Sequence, residues 1–167
     1  MKTTMPPLSN VSLVLHDIRS VLNTGAIFRT AEAFGVGEIV VSGYTPGPLD
    51  RFERKRNDFG KVSLGAEDSI PWRRIGKTQE VIETLRREEK ELLVLEQDKR
   101  AIDIRDLRYS KQKKENIALV VGNEVEGVDQ KFIKAADTIV EIPIWGKKES
   151  FNVASAAAIA IYALSAQ

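Results

Sequence analysis

The 167-residue chain has no cysteine and a single histidine, His16. The first absence removes disulfides, zinc-thiolate sites and thiol nucleophiles, and it suits a reducing compartment. With one histidine, no His/Asp/Glu spacing suggests a metal site, and the expectation is no metal. A G-x-S-x-G context is missing too, so Ser-His-Asp catalysis has no frame. No apolar run reaches the roughly 18 residues of a membrane span. The opening MKTTMPPLSN lacks the apolar stretch of a secretory signal, which points to a cytoplasmic protein. Neither charge sign dominates: 25 Lys and Arg balance 24 Asp and Glu, for a formal net charge of +1. Any attraction for nucleic acid must then come from local clustering.

What is present is the composition of one globular domain spanning residues 1–167. It is 43% hydrophobic and 29% charged, with length enough for a substantial core. The periodicity predicts strands at 10–15, 38–42, 91–96, 116–121 and 138–143. It predicts helices at 23–34, 77–90 and near 129–135, and a final helix from about Asn152. Residues 51–75 give no clear pattern. Strands alternating with helices imply a mostly parallel sheet covered by helices on both faces, with ligands beyond the carboxyl ends of the strands.

Three strand–helix junctions carry more polar groups than a core needs. The first is Asn23-Thr24-Gly25-Ala26-Ile27-Phe28-Arg29. Asn23 reads as the helix N-cap, Gly25 admits a close neighbour, and Arg29 lies off the apolar stripe within reach of Glu32. The second, Gly122-Asn123-Glu124-Val125-Glu126-Gly127, suggests a loop whose backbone N–H groups meet a ligand. It is neither a P-loop nor a dinucleotide fingerprint, and its carboxylates repel phosphate. The third runs from Ile142 through Gly146-Lys147-Lys148 to Ser150-Phe151-Asn152, where Ser150 and Asn152 can cap an alanine-rich helix. Taken singly, each also fits an ordinary capped helix or βα loop. Basic residues cluster separately at Arg51, Arg54, Lys55, Arg56, Lys61, Arg73 and Arg74, with a later group at Lys111, Lys113 and Lys114. A solvated surface of mixed charge explains such runs equally well.

Together and in this order, NTGAIFRTAEAFGV (23–36), ALVVGNEVEGV (118–128) and IPIWGKKESFNVASA (142–156) resemble the three motifs of the SpoU/TrmH-type RNA 2′-O-ribose methyltransferases of the SPOUT superfamily. Two positions depart from the usual pattern: Ser20 stands for an asparagine and Phe151 for a leucine. The resemblance implies an α/β domain with a deep C-terminal trefoil knot, S-adenosylmethionine as cofactor, RNA as partner and a homodimer. It also implies that no separate RNA-recognition domain is present. Carried over by position, the catalytic residues are Asn23, Arg29, Glu124, Ser150 and Asn152. The cofactor residues are Leu95, Glu96, Gln97, Gly122, Asn123, Gly127, Ile142, Ile144, Ser150, Phe151 and Val153. The basic run from Arg51 to Lys61, with Arg73 and Arg74, is expected to hold the RNA backbone.

The implied reaction is attack of a ribose 2′-hydroxyl on the methyl group of the cofactor. Family accounts often make the motif-one arginine the base. A guanidinium scarcely deprotonates in proteins, so Arg29 fits better as a fixed cation for a phosphate and the developing oxyanion. Three other readings compete. One is a non-catalytic RNA-binding or ribosome-assembly protein of the same fold. The others are a methyltransferase acting on a base or a protein, and a nucleotide-binding α/β enzyme.

Overall fold

The structure, a computed structural model, describes residues 7–108 and 116–166; the Lys111, Lys113 and Lys114 group lies outside them. In chain order the elements are β1 (Val11–His16), α1 (Val21–Ala33), β2 (Glu38–Ser42), α2 (Asn57–Ser63), α3 (Ala66–Ser69), β3 (Trp72–Ile75) and α4 (Thr78–Arg87). There follow β4 (Glu91–Leu95), β5 (Ile102–Asp103), a 3₁₀ turn at Ile104–Asp106, β6 (Ile117–Val121), α5 (Gln130–Ala135), β7 (Thr138–Glu141) and α6 (Val153–Ser165). The strands form one sheet in the order β3-β2-β1-β6-β4-β7-β5. Every pairing is parallel.

Parallel strands need crossovers, and crossovers cover the faces. β1 (VSLVLH) and β6 (IALVV) are therefore buried along their whole length at the centre of the sheet. Alternate residues supply the two faces. Leu13, Leu15, Leu93 and Leu119 pack with Ile27, Phe28 and Ala31 of α1 and with Ala157, Ile161 and Leu164 of α6. Val14, Val40, Val94 and Val120 pack with Val81, Ile82 and Leu85 of α4 and with Phe132 of α5. The predicted sheet with helices on both faces is observed. Among the described residues no helix is long and apolar enough to cross a membrane.

Two strands were not foreseen. β3 lies inside the stretch without a pattern. It is an edge strand whose Trp72 and Arg73 are only half buried, so it lacks the apolar run of the central strands. β5 has two residues and pairs only with β7, too short to leave a period. The start of α1 also differs. Its N-cap is Ser20, whose hydroxyl accepts from Asn23 N–H, and the helix begins at Val21. Asn23 is thus inside the first turn, and its side chain is free for tertiary contacts.

Candidate active site

The exits of β4, β6 and β7 open into one cleft of about 470 Å³. All eleven residues expected to hold a cofactor line it, together with Glu124, Asp98, Glu126 and Glu141. β4 ends at Leu95, β6 at Val121 and β7 at Glu141, so the loops leaving three neighbouring parallel strands converge at the same height. This is the crevice position expected of an open parallel sheet.

The loop after β6 is shaped by its own side chains. Asn123 Oδ1 accepts from the N–H groups of Val125 (2.7 Å) and Glu126 (2.8 Å). Asn123 and Gly127 exchange both backbone hydrogen bonds, at 3.0 and 3.1 Å. Val128 N–H donates to Glu96 Oε2 at 2.8 Å. The expectation of backbone donors aimed at a ligand is therefore overturned for residues 125–128: their N–H groups are already satisfied within the protein. Two glycines are needed for this geometry. A Cβ at Gly122 would lie 2.7 Å from Gly127 O and from Val128 Cα, and Gly127 has φ +75° with Glu96 against it. Glu96 thereby ties the end of β4 to the β6–α5 loop.

A chain of amide contacts links the three junctions. Asn152 Nδ2 donates to Asn23 Oδ1 at 3.1 Å, and Asn23 Nδ2 donates to Glu124 Oε1 at 2.9 Å. Asn152 also caps α6, its Oδ1 accepting from Ala154 and Ser155 N–H. Glu124 further accepts from the N–H groups of Arg19 (2.9 Å) and Ser20 (3.3 Å), at the start of α1. Burial raises the Glu124 pKa, but the hydrogen bonds from Arg19, Asn23 and Ser20 outweigh it and hold the pKa below the ordinary glutamate value. Glu124 is then an ionised anchor with occupied oxygens, poorly placed to take another proton.

The remaining candidates divide. Ser150 lines the cleft and is exposed, whereas the N-cap of α6 is Asn152. Arg29 is exposed on α1, six residues past Asn23, or about 9 Å of helical rise. It does not line the cleft, and the anticipated pair with Glu32 is not formed among the described residues. The close neighbour of Gly25 is Val62 of α2, 3.0 Å from where a Cβ would sit, so that glycine serves helix packing. His16 is buried between Ser42 and Thr78. Thr78 donates to Asp129 at 2.7 Å, so its oxygen accepts from His16 Nε2–H, and Nδ1 accepts from Ser42. Burial holds the His16 pKa below its usual value despite Asp17 and Asp129, and this ring is a neutral strut.

Of the basic residues, Arg54 pairs with Asp50, Lys55 with Asp68 and Arg56 with Asp58. Arg73 is held by Glu38 and Glu88. Arg74 bonds to the carbonyl of Thr45 at 2.9 Å. Arg51 and Lys61 are exposed and have no carboxylate partner among the described residues.

The electrostatics of the cleft are one-sided. Glu96, Asp98, Glu124, Glu126, Glu141 and Glu149 line it, and among the described residues no lysine or arginine does. Leu95, Ile142, Ile144 and Val153 give it apolar wall. Among the described residues no group of three or more His, Asp or Glu is arranged to hold a metal ion.

A doubly covered parallel sheet with an acidic cleft at its strand exits defines an α/β ligand-binding domain of the crevice type. Residues 10–162 match the SpoU rRNA Methylase family, and the chain belongs to it. It is 32% identical over 158 residues to an uncharacterized tRNA/rRNA methyltransferase of Synechocystis sp., covering 94% of this chain and 38% of that protein. It is 27% identical over 150 residues to the 23S rRNA (guanosine-2'-O-)-methyltransferase RlmB of Bordetella pertussis, covering 90% and 57%. The chain thus spans roughly two-fifths to three-fifths of these relatives. An AdoMet-bound rRNA methyltransferase from Sinorhizobium meliloti has the same fold, with TM-score 0.82 over 96% of this chain and 60% of that one, at 24% identity.

Proposed function

We propose that this chain is an S-adenosylmethionine-dependent RNA methyltransferase that methylates a ribose 2′-hydroxyl of tRNA or rRNA. The observation that carries the reading is the cleft, where six carboxylates and the polar Gln97, Asn123 and Ser150 stand beside an apolar wall of Leu95, Ile142, Ile144 and Val153, with no lysine or arginine among the described residues that line it. Such a lining favours a positively charged, hydroxyl-bearing ligand with an apolar ring and disfavours phosphate-bearing cofactors. S-adenosylmethionine has that chemistry and supplies an electrophilic methyl group when bound. Leu95, Ile142 and Ile144 would hold its ring, and Glu96 and Gln97 its polar edge.

The surrounding residues do the rest. Glu124 keeps the start of α1 against the cleft and orients the Asn23 amide. Asn23 and Asn152 form a rigid rim beside which the RNA ribose is aligned; alignment of this kind contributes several kcal/mol to rate. The exposed Ser150 hydroxyl offers a path for the departing proton. Arg29, projecting from the same helix, is a fixed cation for an RNA phosphate and the developing oxyanion. Arg51 and Lys61 hold further backbone phosphates.

The same reading includes one methyltransferase unit in the cytoplasm, using its own surface for RNA, paired with a second copy, and a trefoil knot at the C-terminal end. Gln97 Nε2 donates to Glu149 O at 2.8 Å, so the loop after β4 lies beside the approach to α6, the neighbourhood in which such a knot would form. A chain trace in which α6 does not thread the segment after β4 sinks that part.

The activity is tested by incubating the protein and RNA with methyl-labelled S-adenosylmethionine and digesting the RNA to nucleosides. Label on ribose supports the reading, and label on a base overturns the ribose assignment. No transfer together with no calorimetric heat of cofactor binding favours a binding-only protein. Rates of Arg29→Ala and Arg29→Lys across pH test the arginine. A loss in Ala partly recovered by Lys, without a new titration, fits a fixed cation. A recovered rate with a new lysine-like titration assigns it the base role instead.

A further inference from the structure

Tyr44, just past the end of β2, is 58% exposed, yet the residue is tightly held. Its backbone N–H donates to Asp17 Oδ1 at 3.1 Å, and its hydroxyl accepts from Asn123 Nδ2 at 2.6 Å. Both neighbours are pinned as well. Gly43 N–H donates to Gly76 O at 3.0 Å, and buried Thr45 donates its hydroxyl to Leu15 O while accepting from Ile18 N–H. The ring therefore stands in water with its hydroxyl fixed and its backbone clamped. Leaving that area exposed forgoes hydrophobic stabilisation, whereas a ring ordered in advance loses little entropy when something stacks on it.

The position narrows what would stack. Asn123, which holds the hydroxyl, directly precedes Glu124, so Tyr44 borders the loop whose carboxylate anchors Asn23 at the rim of the site. It is not part of the acidic cleft lining. The connection from β2 to α2 also carries Phe52, 61% exposed, with the guanidinium groups of Arg51 and Arg54 4.7 and 5.0 Å from its ring centre. Exposed rings interleaved with arginines are the surface chemistry that unpaired RNA bases and their phosphates recognise.

We propose that Tyr44 is a stacking platform for an unpaired base of the RNA, beside the nucleotide whose ribose enters the site. The adjacency to the methylated nucleotide rests on the methyltransferase reading; the stacking itself does not. The substrate is then single-stranded at this point, and the platform is tolerant of base identity, because every base offers a π face.

The test compares Tyr44→Phe with Tyr44→Leu. Both lose the bond to Asn123, so any difference between them isolates the aromatic ring. The probe is a short single-stranded RNA carrying 2-aminopurine at each position in turn, read by fluorescence quenching and by equilibrium affinity. The expected result is quenching by wild type and Tyr44→Phe, lost in Tyr44→Leu, with affinity weaker in Leu than in Phe by about tenfold or more. Equal affinity and equal quenching in the two variants overturns the proposal, as does a wild type that quenches at no position. Methyl transfer is measured on the same samples. Quenching without transfer in wild type supports the platform while sinking the methyltransferase reading. Transfer with an unchanged RNA KM in Tyr44→Leu sinks the platform and leaves that reading intact.

Discussion

Asn152 uses the two ends of one amide for different ends. Its oxygen caps α6 and its nitrogen holds Asn23. Asn152→Asp keeps the capping oxygen and removes the donor, so we expect a melting temperature near wild type with slower single-turnover methyl transfer. Asn152→Ala loses both and gives up about 1 kcal/mol of helix capping as well. Thermal melts and transfer rates that fail to separate the two variants would remove the linking role. Glu124 gives a pH signature. Its pKa is lowered in the fold, so between the folded and unfolded values the unfolded chain binds more protons and stability rises with pH. The contribution is fully present once the pH is well above the ordinary glutamate value of 4.5, and it is lost as pH falls through the folded value. Denaturant titrations should show wild type ahead of Glu124→Gln near neutrality, with the gap closing on acidification below the ordinary glutamate value. At this scale residue type was legible and partner was not. Asn23 reads as a cap because asparagine prefers caps, but Ser20 three residues earlier takes that place and releases Asn23 for Glu124.

Among the elements, the central strands were legible because burial on both faces demands an unbroken apolar run, as in β1 and β6. The edge strand β3 was not, since its Arg73 and Arg74 interrupt the pattern. Arg73 belongs to the sheet edge: it clasps Glu38 at the start of β2 and Glu88 just past α4. From sequence it is indistinguishable from the phosphate-binding candidates around it. The two roles separate experimentally. Arg73→Ala should lower the melting temperature, because two half-buried carboxylates lose their partner. Arg51→Ala and Lys61→Ala should instead weaken RNA binding and each reduce its logarithmic salt slope by about one, with little effect on melting. An Arg73→Ala variant with wild-type melting and a reduced salt slope would reverse this assignment.

At the scale of the whole molecule, the outer faces of α1 and α6 leave Leu22, Ile159 and Tyr162 exposed at 63, 37 and 57%. These two helices pack side by side on one face of the sheet, so the apolar positions belong to neighbouring elements. A second copy is the occupant we propose. Ile159→Asp should convert a dimer to a monomer in light scattering while circular dichroism shows the fold retained. A wild-type protein that is monomeric at assay concentration would refute the pairing directly.

Sequence by itself determined the alternating α/β class, the central strands and the three polar junctions, because these depend on local periodicity and on residue chemistry at strand ends. It also carried enough ordered motif to indicate the family. Only the tertiary structure decided that the junctions meet through Asn152, Asn23 and Glu124, that the loop N–H groups are spent internally, and which cations already have carboxylate partners. Those outcomes depend on which distant strands become neighbours, β4 between β6 and β7 above all, and pairings such as Glu91 with Ile117 and Leu93 with Thr138 leave no local period.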